Sequence, residues 1–104
     1  NEILFKELMQ LIVTHYKRER SVGFYAGKLC LTDKYLTRII REVSGKTISE
    51  WIKTALIFDA KSQLKYTRKT IQEISNDLNF PNPSFFCKFF RRHVGMSPLE
   101  FRNS

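Results

Sequence analysis

Two sets of side chains in this sequence carry the same chemistry in the same order. The first is Lys34, Thr37, Arg38 and Arg41; the second is Ser84, Cys87, Lys88 and Arg91, each fifty positions later. The spacing i, i+3, i+4, i+7 places each set on one face of a helix. Small or polar groups come early and cations follow. That order suits a helix entering a major groove by its N-terminus, with early residues at base edges and later cations at flanking phosphates. Arg38 can donate two hydrogen bonds to guanine O6 and N7. Lys88 can do so as a more flexible point donor. Thr37 and Ser84 are of a size to touch bases or a thymine methyl. Arg41, Arg91 and Arg92 suit phosphate clamps. The plainer alternative is a solvated face of an ordinary helical bundle. Two copies in one register, each preceded by a short helix and a tight turn, weigh against it.

The elements that would hold these sets are helical. Few turn residues interrupt the chain, and apolar residues recur at helical spacing, so the fold class is all-α. Phe5, Leu8, Met9, Ile12 and Tyr16 form one face of a first helix ending near Lys17–Arg20. A short helix runs from about Val22 to Leu29. Thr32 or Asp33 can cap the next, which reaches Ser44 and stops at Gly45. Its inward residues are Leu36, Ile39, Ile40 and Val43; in the later copy they are Phe86, Phe89 and Phe90. Thr47 with Glu50, Thr70 with Glu73 and Ser97 with Glu100 each read as a capping box. Asn82–Pro83 marks a further helix start.

The repeat is wider than the two sets. Ser21–Val22 aligns with Thr70–Ile71, Ala26 with Ser75 and Leu29 with Leu78; after one inserted residue, Gly45 aligns with Gly95 and Trp51 with Phe101. Closely crossing helices require a small residue, supplied by Ala26 and Ser75. The turn between them requires left-handed backbone, which Asn79 tolerates well and Cys30 less well. Leu31 and Phe80 then plug each crossing. Between the copies, a helix from about Thr47 to Tyr66 has apolar residues over most of its circumference, Phe58 among them, as expected of a buried spine. Its twenty or so residues span about 30 Å, close to one turn of DNA at roughly 34–36 Å. The expected organisation is one domain over 1–104, with a first lobe at 1–45, a linking helix at 46–67 and a second lobe at 68–104.

Composition agrees. The chain has 104 residues, 42% of them hydrophobic, which excludes a disordered tail. A net charge of +8 and a pI near 9.8 favour a polyanionic partner. Cys30 and Cys87 have neither metal-ligand nor redox spacing, and point to a reducing compartment. No apolar run approaches the roughly 20 residues of a membrane span. There is no nucleophile beside a base, no Gly-rich phosphate loop and no metal-ligand cluster, so neither an enzyme nor a cofactor is expected. His15 and His93 read as surface or boundary residues, and Trp51 and Phe101 as core. Cys87 reads as a spectator beside thymine methyls. The cluster Lys65, Arg68, Lys69 can meet phosphate or simply solvate a turn. A chain opening on Asn1 is expected to be part of a longer one.

At this point the sequence resembles the C-terminal DNA-binding domain of the AraC/XylS family of bacterial transcription regulators. The telling stretch is Thr70 to Arg102, TIQEISNDLNFPNPSFFCKFFRRHVGMSPLEFR, closing on Gly95, Ser97, Pro98, Phe101 and Arg102. The resemblance covers essentially the whole chain. It implies seven helices, two helix-turn-helix units and a long connecting helix. It also implies promoter binding in double-stranded DNA, with activation through RNA polymerase, in the bacterial cytoplasm at the nucleoid. A sensing or dimerisation region would precede Asn1. Carried over residue by residue, base contacts fall on Lys34, Thr37, Arg38, Ser84, Cys87 and Lys88. The departures are Ser75 for the family's Ala, Asn79 for its turn Gly, Leu56 for a frequent Arg and Pro83 for a frequent polar residue. Two rival readings are a DNA-anchoring module of a repair enzyme and a protein-interaction module without DNA binding.

Overall fold

The computed structural model describes residues 1–104 and is entirely helical. Seven helices follow in order: α1 (Glu2–His15), α2 (Val22–Lys28), α3 (Asp33–Ser44), α4 (Ile48–Tyr66), α5 (Ile71–Asp77), α6 (Pro83–Val94) and α7 (Pro98–Asn103). Their contacts divide the chain into two units, Asn1–Ala55 and Leu56–Ser104. The division falls inside α4, so the helix expected to link the two repeats gives its first eight residues to one unit and its last eleven to the other.

In the first unit α2 and α3 form a helix-turn-helix. Ser21 caps α2 by accepting from the backbone N–H of Phe24. Thr32, not Asp33, caps α3, accepting from Tyr35 N–H at 3.2 Å. The turn closes with two backbone bonds: Leu31 N–H donates to Ala26 C=O at 2.9 Å, and Cys30 N–H to Gly27 C=O at 3.2 Å. This pairing is the Schellman arrangement, which requires left-handed backbone one residue past the cap. Cys30 meets it with φ 58°. The second unit repeats the device: Phe80 N–H donates to Ser75 C=O at 3.0 Å, Asn79 N–H to Asn76 C=O at 3.1 Å, and Asn79 has φ 59°. α3 and α6 then end on Gly45 and Gly95, with φ 76° and 93°.

Cys30 is exposed, so its side chain adds little packing to offset its backbone conformation. Left-handed backbone costs an L-residue roughly 1–2 kcal/mol, part of which glycine loses again through unfolded-state entropy. Cys30→Gly is therefore expected to stabilise the domain by up to about 1 kcal/mol, a rise in melting temperature of up to roughly 4–8 °C. A lower melting temperature would show that the thiol contributes packing.

Each unit has its own core. Leu8, Ile12, Tyr25, Ala26, Leu36, Ile39, Ile40, Ile48 and Ile52 are buried in the first; Leu56, Ala60, Leu64, Ile74, Leu78, Phe86 and Phe90 in the second. Tyr25 satisfies its hydroxyl by donating to Glu19 C=O at 2.7 Å, and burial pushes its pKa up to about 12. Ser75 lies fully buried where Ala26 stands in the first unit, and its Oγ has no hydrogen-bond partner. A buried orphan hydroxyl costs about 1–3 kcal/mol. Ser75→Ala should raise the denaturant midpoint by about 1 kcal/mol equivalent with an unchanged m-value; a fall would mean the hydroxyl is satisfied in solution.

Two expected core positions are not core. Val43 keeps the period of Leu36 and Ile39 but is 37% exposed. It sits in the last turn of α3 beside exposed Gly45 and Lys46, where burial has ended. Phe58 is 72% exposed. The buried stripe of α4 runs Ile48, Ile52, Leu56, Ala60, Leu64, and Phe58 lies about 200° around the helix from Leu56. α4 is thus one-sided rather than apolar all round. α1 also ends earlier than expected, at His15, with the chain turning through Tyr16.

The three capping boxes form. Thr47, Thr70 and Ser97 donate their backbone N–H to Glu50, Glu73 and Glu100 at 3.0, 2.8 and 3.0 Å. Each threonine or serine hydroxyl accepts the glutamate's backbone N–H in return. The donated backbone N–H, and then the hydroxyl contact, holds each carboxyl below the ordinary carboxylate range. A carboxyl whose folded pKa lies below its unfolded value adds stability above the unfolded pKa and loses it as pH falls through the folded one. The domain should therefore lose stability on acidification through and below the carboxylate range. Replacing all three glutamates with glutamine, which can keep the box but does not titrate, should flatten that acid limb in melts run across pH. An unchanged limb would place the titration elsewhere.

Candidate nucleic-acid interface

α3 brings the first set of residues together. Lys34, Arg38 and Arg41 are exposed and Thr37 is half-buried. All four line one open depression with Asp33 and Glu42. α3 starts at a capped end, where Thr32 Oγ1 accepts the Tyr35 N–H, with Asp33 in the first turn. The Arg38 guanidinium lies over the ring of Tyr35, 5.4 Å from its centroid. Tyr35 is itself 40% exposed.

α6 repeats the layout on an aromatic base. Asn82 Oδ1 accepts from Phe85 N–H at 2.8 Å, and Pro83 takes the first helical position, where no intrahelical donor is needed. Ser84, Lys88, Arg91 and Arg92 are exposed. Cys87 is half-buried, and desolvation pushes its thiol pKa up. It presents a neutral, weakly polar surface rather than a thiolate. Beneath this face, Phe86 and Phe90 are fully buried, while Phe89 is half-buried against Phe80 at 5.1 Å and His93 at 4.7 Å.

The two faces differ in charge. α3 carries three cations, with Asp33 and Glu42 among them. α6 carries Lys88, Arg91 and Arg92 with no carboxylate, because Pro83 and Arg92 occupy the corresponding places. By its own residues α6 therefore carries more net positive charge than α3, and one arginine of each helix also meets a carboxylate from the helix that follows, Arg41 that of Glu50 and Arg91 that of Glu100.

Other residues singled out by sequence have local partners. Lys65 donates to Ser104 C=O at 2.9 Å and sits over the Phe101 ring; Lys69 donates to Gln63 Oε1 at 3.3 Å. Arg102 donates to Leu64 C=O at 2.9 Å and to Thr67 C=O at 3.4 Å, tying α7 to the C-terminal end of α4. His15 packs edge-on to Phe24. Trp51 packs on Phe5 and donates its indole N–H to Ser44 Oγ at 3.0 Å. Sequence reading passed over Tyr35 and Phe85, the third residue of each recognition helix. Both are exposed, the latter at 55%. Their shared offset of fifty was the available signal.

Two capped, Schellman-closed helix pairs, each with an exposed cationic second helix, define a double helix-turn-helix module. Residues 25–104 match the family described as a helix-turn-helix domain. The chain belongs to this family, in its AraC-type form. The HTH-type transcriptional activator RhaR of Escherichia coli K12 is 22% identical over 103 residues, 99% of this chain and 36% of that protein. The chain thus spans little more than a third of the length of the curated relatives it matches. Among solved structures, the C-terminal domain of AraT, a response regulator from Geobacillus stearothermophilus, superposes with a TM-score of 0.90 at 22% identity, covering 96% of this chain and 84% of that one. The DNA-binding domain of the global transcriptional factor AdpA, solved in complex with a target DNA, gives 0.84 at 21% identity, covering 94% and 88%. No helix is long and apolar enough to cross a membrane.

Proposed function

We propose that this domain binds double-stranded DNA sequence-specifically, with α3 and α6 as major-groove recognition helices, and serves as the DNA-reading part of a bacterial transcription regulator. The observation that carries the reading is the pair of exposed faces in one register, each rooted in a capped helix behind a Schellman turn. Lys34, Thr37, Arg38, Ser84, Cys87 and Lys88 are the base-reading residues, and Arg41, Arg91 and Arg92 the phosphate contacts. Similarity to RhaR, a transcriptional activator, and to the DNA-binding domain of AdpA, solved with a target DNA, supports the assignment. The same reading makes promoter DNA the partner and places the protein in the bacterial cytoplasm. It leaves RNA polymerase and a sensing or dimerisation region of a longer chain as the further partners.

Selection from a randomised duplex pool at moderate salt, followed by sequencing, tests it. Two short enriched blocks about one helical turn apart are expected. Binding without enrichment would reduce the interaction to its phosphate component. Absence of binding at low salt would favour a protein-interaction module.

A further inference from the structure

The exposed aromatic in the first turn of each recognition helix has no place in the reading above. Tyr35 and Phe85 occupy equivalent positions, and both donate a backbone N–H to the cap residue, so their rings start from a fixed backbone. Their surroundings differ. Phe85 lies 6.3 Å from Phe80 with the rings tilted at 36°, joining the aromatic cluster of the second unit. Tyr35 instead lies beneath the Arg38 guanidinium.

Arginine is a long side chain with roughly 2 kcal/mol of rotamer entropy, and its bidentate geometry is useful only when the fork is aimed. A ring one turn earlier gives the guanidinium plane a surface to rest on. The carboxylates Asp33 and Glu42 lie in the same depression and offer the guanidinium competing acceptors. The ring favours one location among these. Lys88, the counterpart in α6, is a compact ammonium that gains less from such a platform.

We propose that Tyr35 is a positioning residue of the first recognition helix: its ring aims the Arg38 guanidinium and thereby sharpens base preference at one position of the DNA site. The inference rests on the DNA-reading function proposed above. It makes α3 the stricter reader of the two helices, and α6, with no carboxylate of its own and a flexible Lys88, the stronger phosphate binder.

The test uses the domain and four variants, Tyr35→Phe, Tyr35→Leu, Arg38→Ala and the double variant Tyr35→Leu/Arg38→Ala. Each is first checked for wild-type helicity and melting. Each is then measured on a panel of duplexes varying every base of the selected site. Arg38→Ala should relax preference at one position. Tyr35→Leu should lower preference at that same position by about two- to fivefold, the scale of an exposed cation–ring contact. Tyr35→Phe, which keeps the ring, should stay within about twofold of wild type. The double variant should match Arg38→Ala alone. If Arg38→Ala relaxes a position and Tyr35→Leu does not, Tyr35 has no positioning role, and the DNA-reading function stands. If Tyr35→Leu weakens every duplex equally, it acts through stability or general affinity and the proposal is overturned. If Arg38→Ala changes no base preference, the assignment of α3 as a reader fails and the role of Tyr35 falls with it.

Discussion

Replacing Phe86 with alanine should cost the second unit about 3–5 kcal/mol, the range for truncating a buried aromatic. Phe86 is fully buried, and its ring lies 5.2 Å from Phe80 and 6.1 Å from Phe90. Phe90 in turn packs edge-on against Phe101 at 5.6 Å. One substitution therefore opens a ring series that joins the helix-turn-helix crossing, the recognition helix and α7. Aromatic pairs add about 0.5–1.5 kcal/mol beyond their buried area, so the truncation loses both packing volume and paired geometry. Small domains have only about 5–15 kcal/mol in total. The variant should unfold at far lower denaturant. The equivalent change in the first unit, Leu36→Ala, removes a smaller, non-aromatic side chain at a position equally buried. It should cost less, within about 2–5 kcal/mol. Denaturant unfolding of both variants decides this. A loss under 1 kcal/mol for Phe86→Ala would mean that the cluster relaxes into the space and that the rings do not act together.

Features decided within one or two turns of chain were the ones most readable from sequence. The three capping boxes, the glycine stops and the left-handed residues of the turns all depend on neighbours in sequence. Each could be placed from residue type alone. The small residues Ala26 and Ser75 were readable too, because the close helix crossing leaves no room for a larger side chain there, and both are fully buried. Features set by how far a core extends were not. Val43 continues the right period into the last turn of α3 yet stays 37% exposed. Phe58 looks like core by composition, yet the buried stripe of α4 follows a single i, i+4 row. The boundary between units at Ala55–Leu56 leaves no compositional mark, since a helix shared by two cores reads as one continuous element. Tyr35 and Phe85 were missed for a related reason: an aromatic at helical spacing is ordinarily core, and only its position in the first turn exposes it.

Arg38→Ala and Arg41→Ala should differ in kind. Both side chains are exposed on α3 and both line the same depression, so bulk electrostatics treats them alike. They differ in depth along the helix. Arg38 stands one turn beyond the first-turn residues and can reach a guanine edge with both arms of its fork. Losing it should cost about 1–3 kcal/mol on the selected site and relax preference at one position. Arg41 lies almost a further turn along, where a groove-entering helix meets the backbone. Its loss should weaken every sequence alike and reduce the slope of log K against log salt by about one. Lys88→Ala should behave as Arg38→Ala does, at a second block, with a smaller loss of specificity because a point donor discriminates less. Arg92→Ala should behave as Arg41→Ala does. The contrast between helices sharpens the test: Glu42, the counterpart of Arg92, adds a carboxylate to α3 itself, whereas α6 carries none of its own and meets Glu100 of α7 only at Arg91. Salt titrations of the single variants should therefore assign more of the total slope to α6 than to α3. A change in base preference on removing Arg41 would reverse the roles given to the two arginines, and with them the depth at which α3 enters the groove.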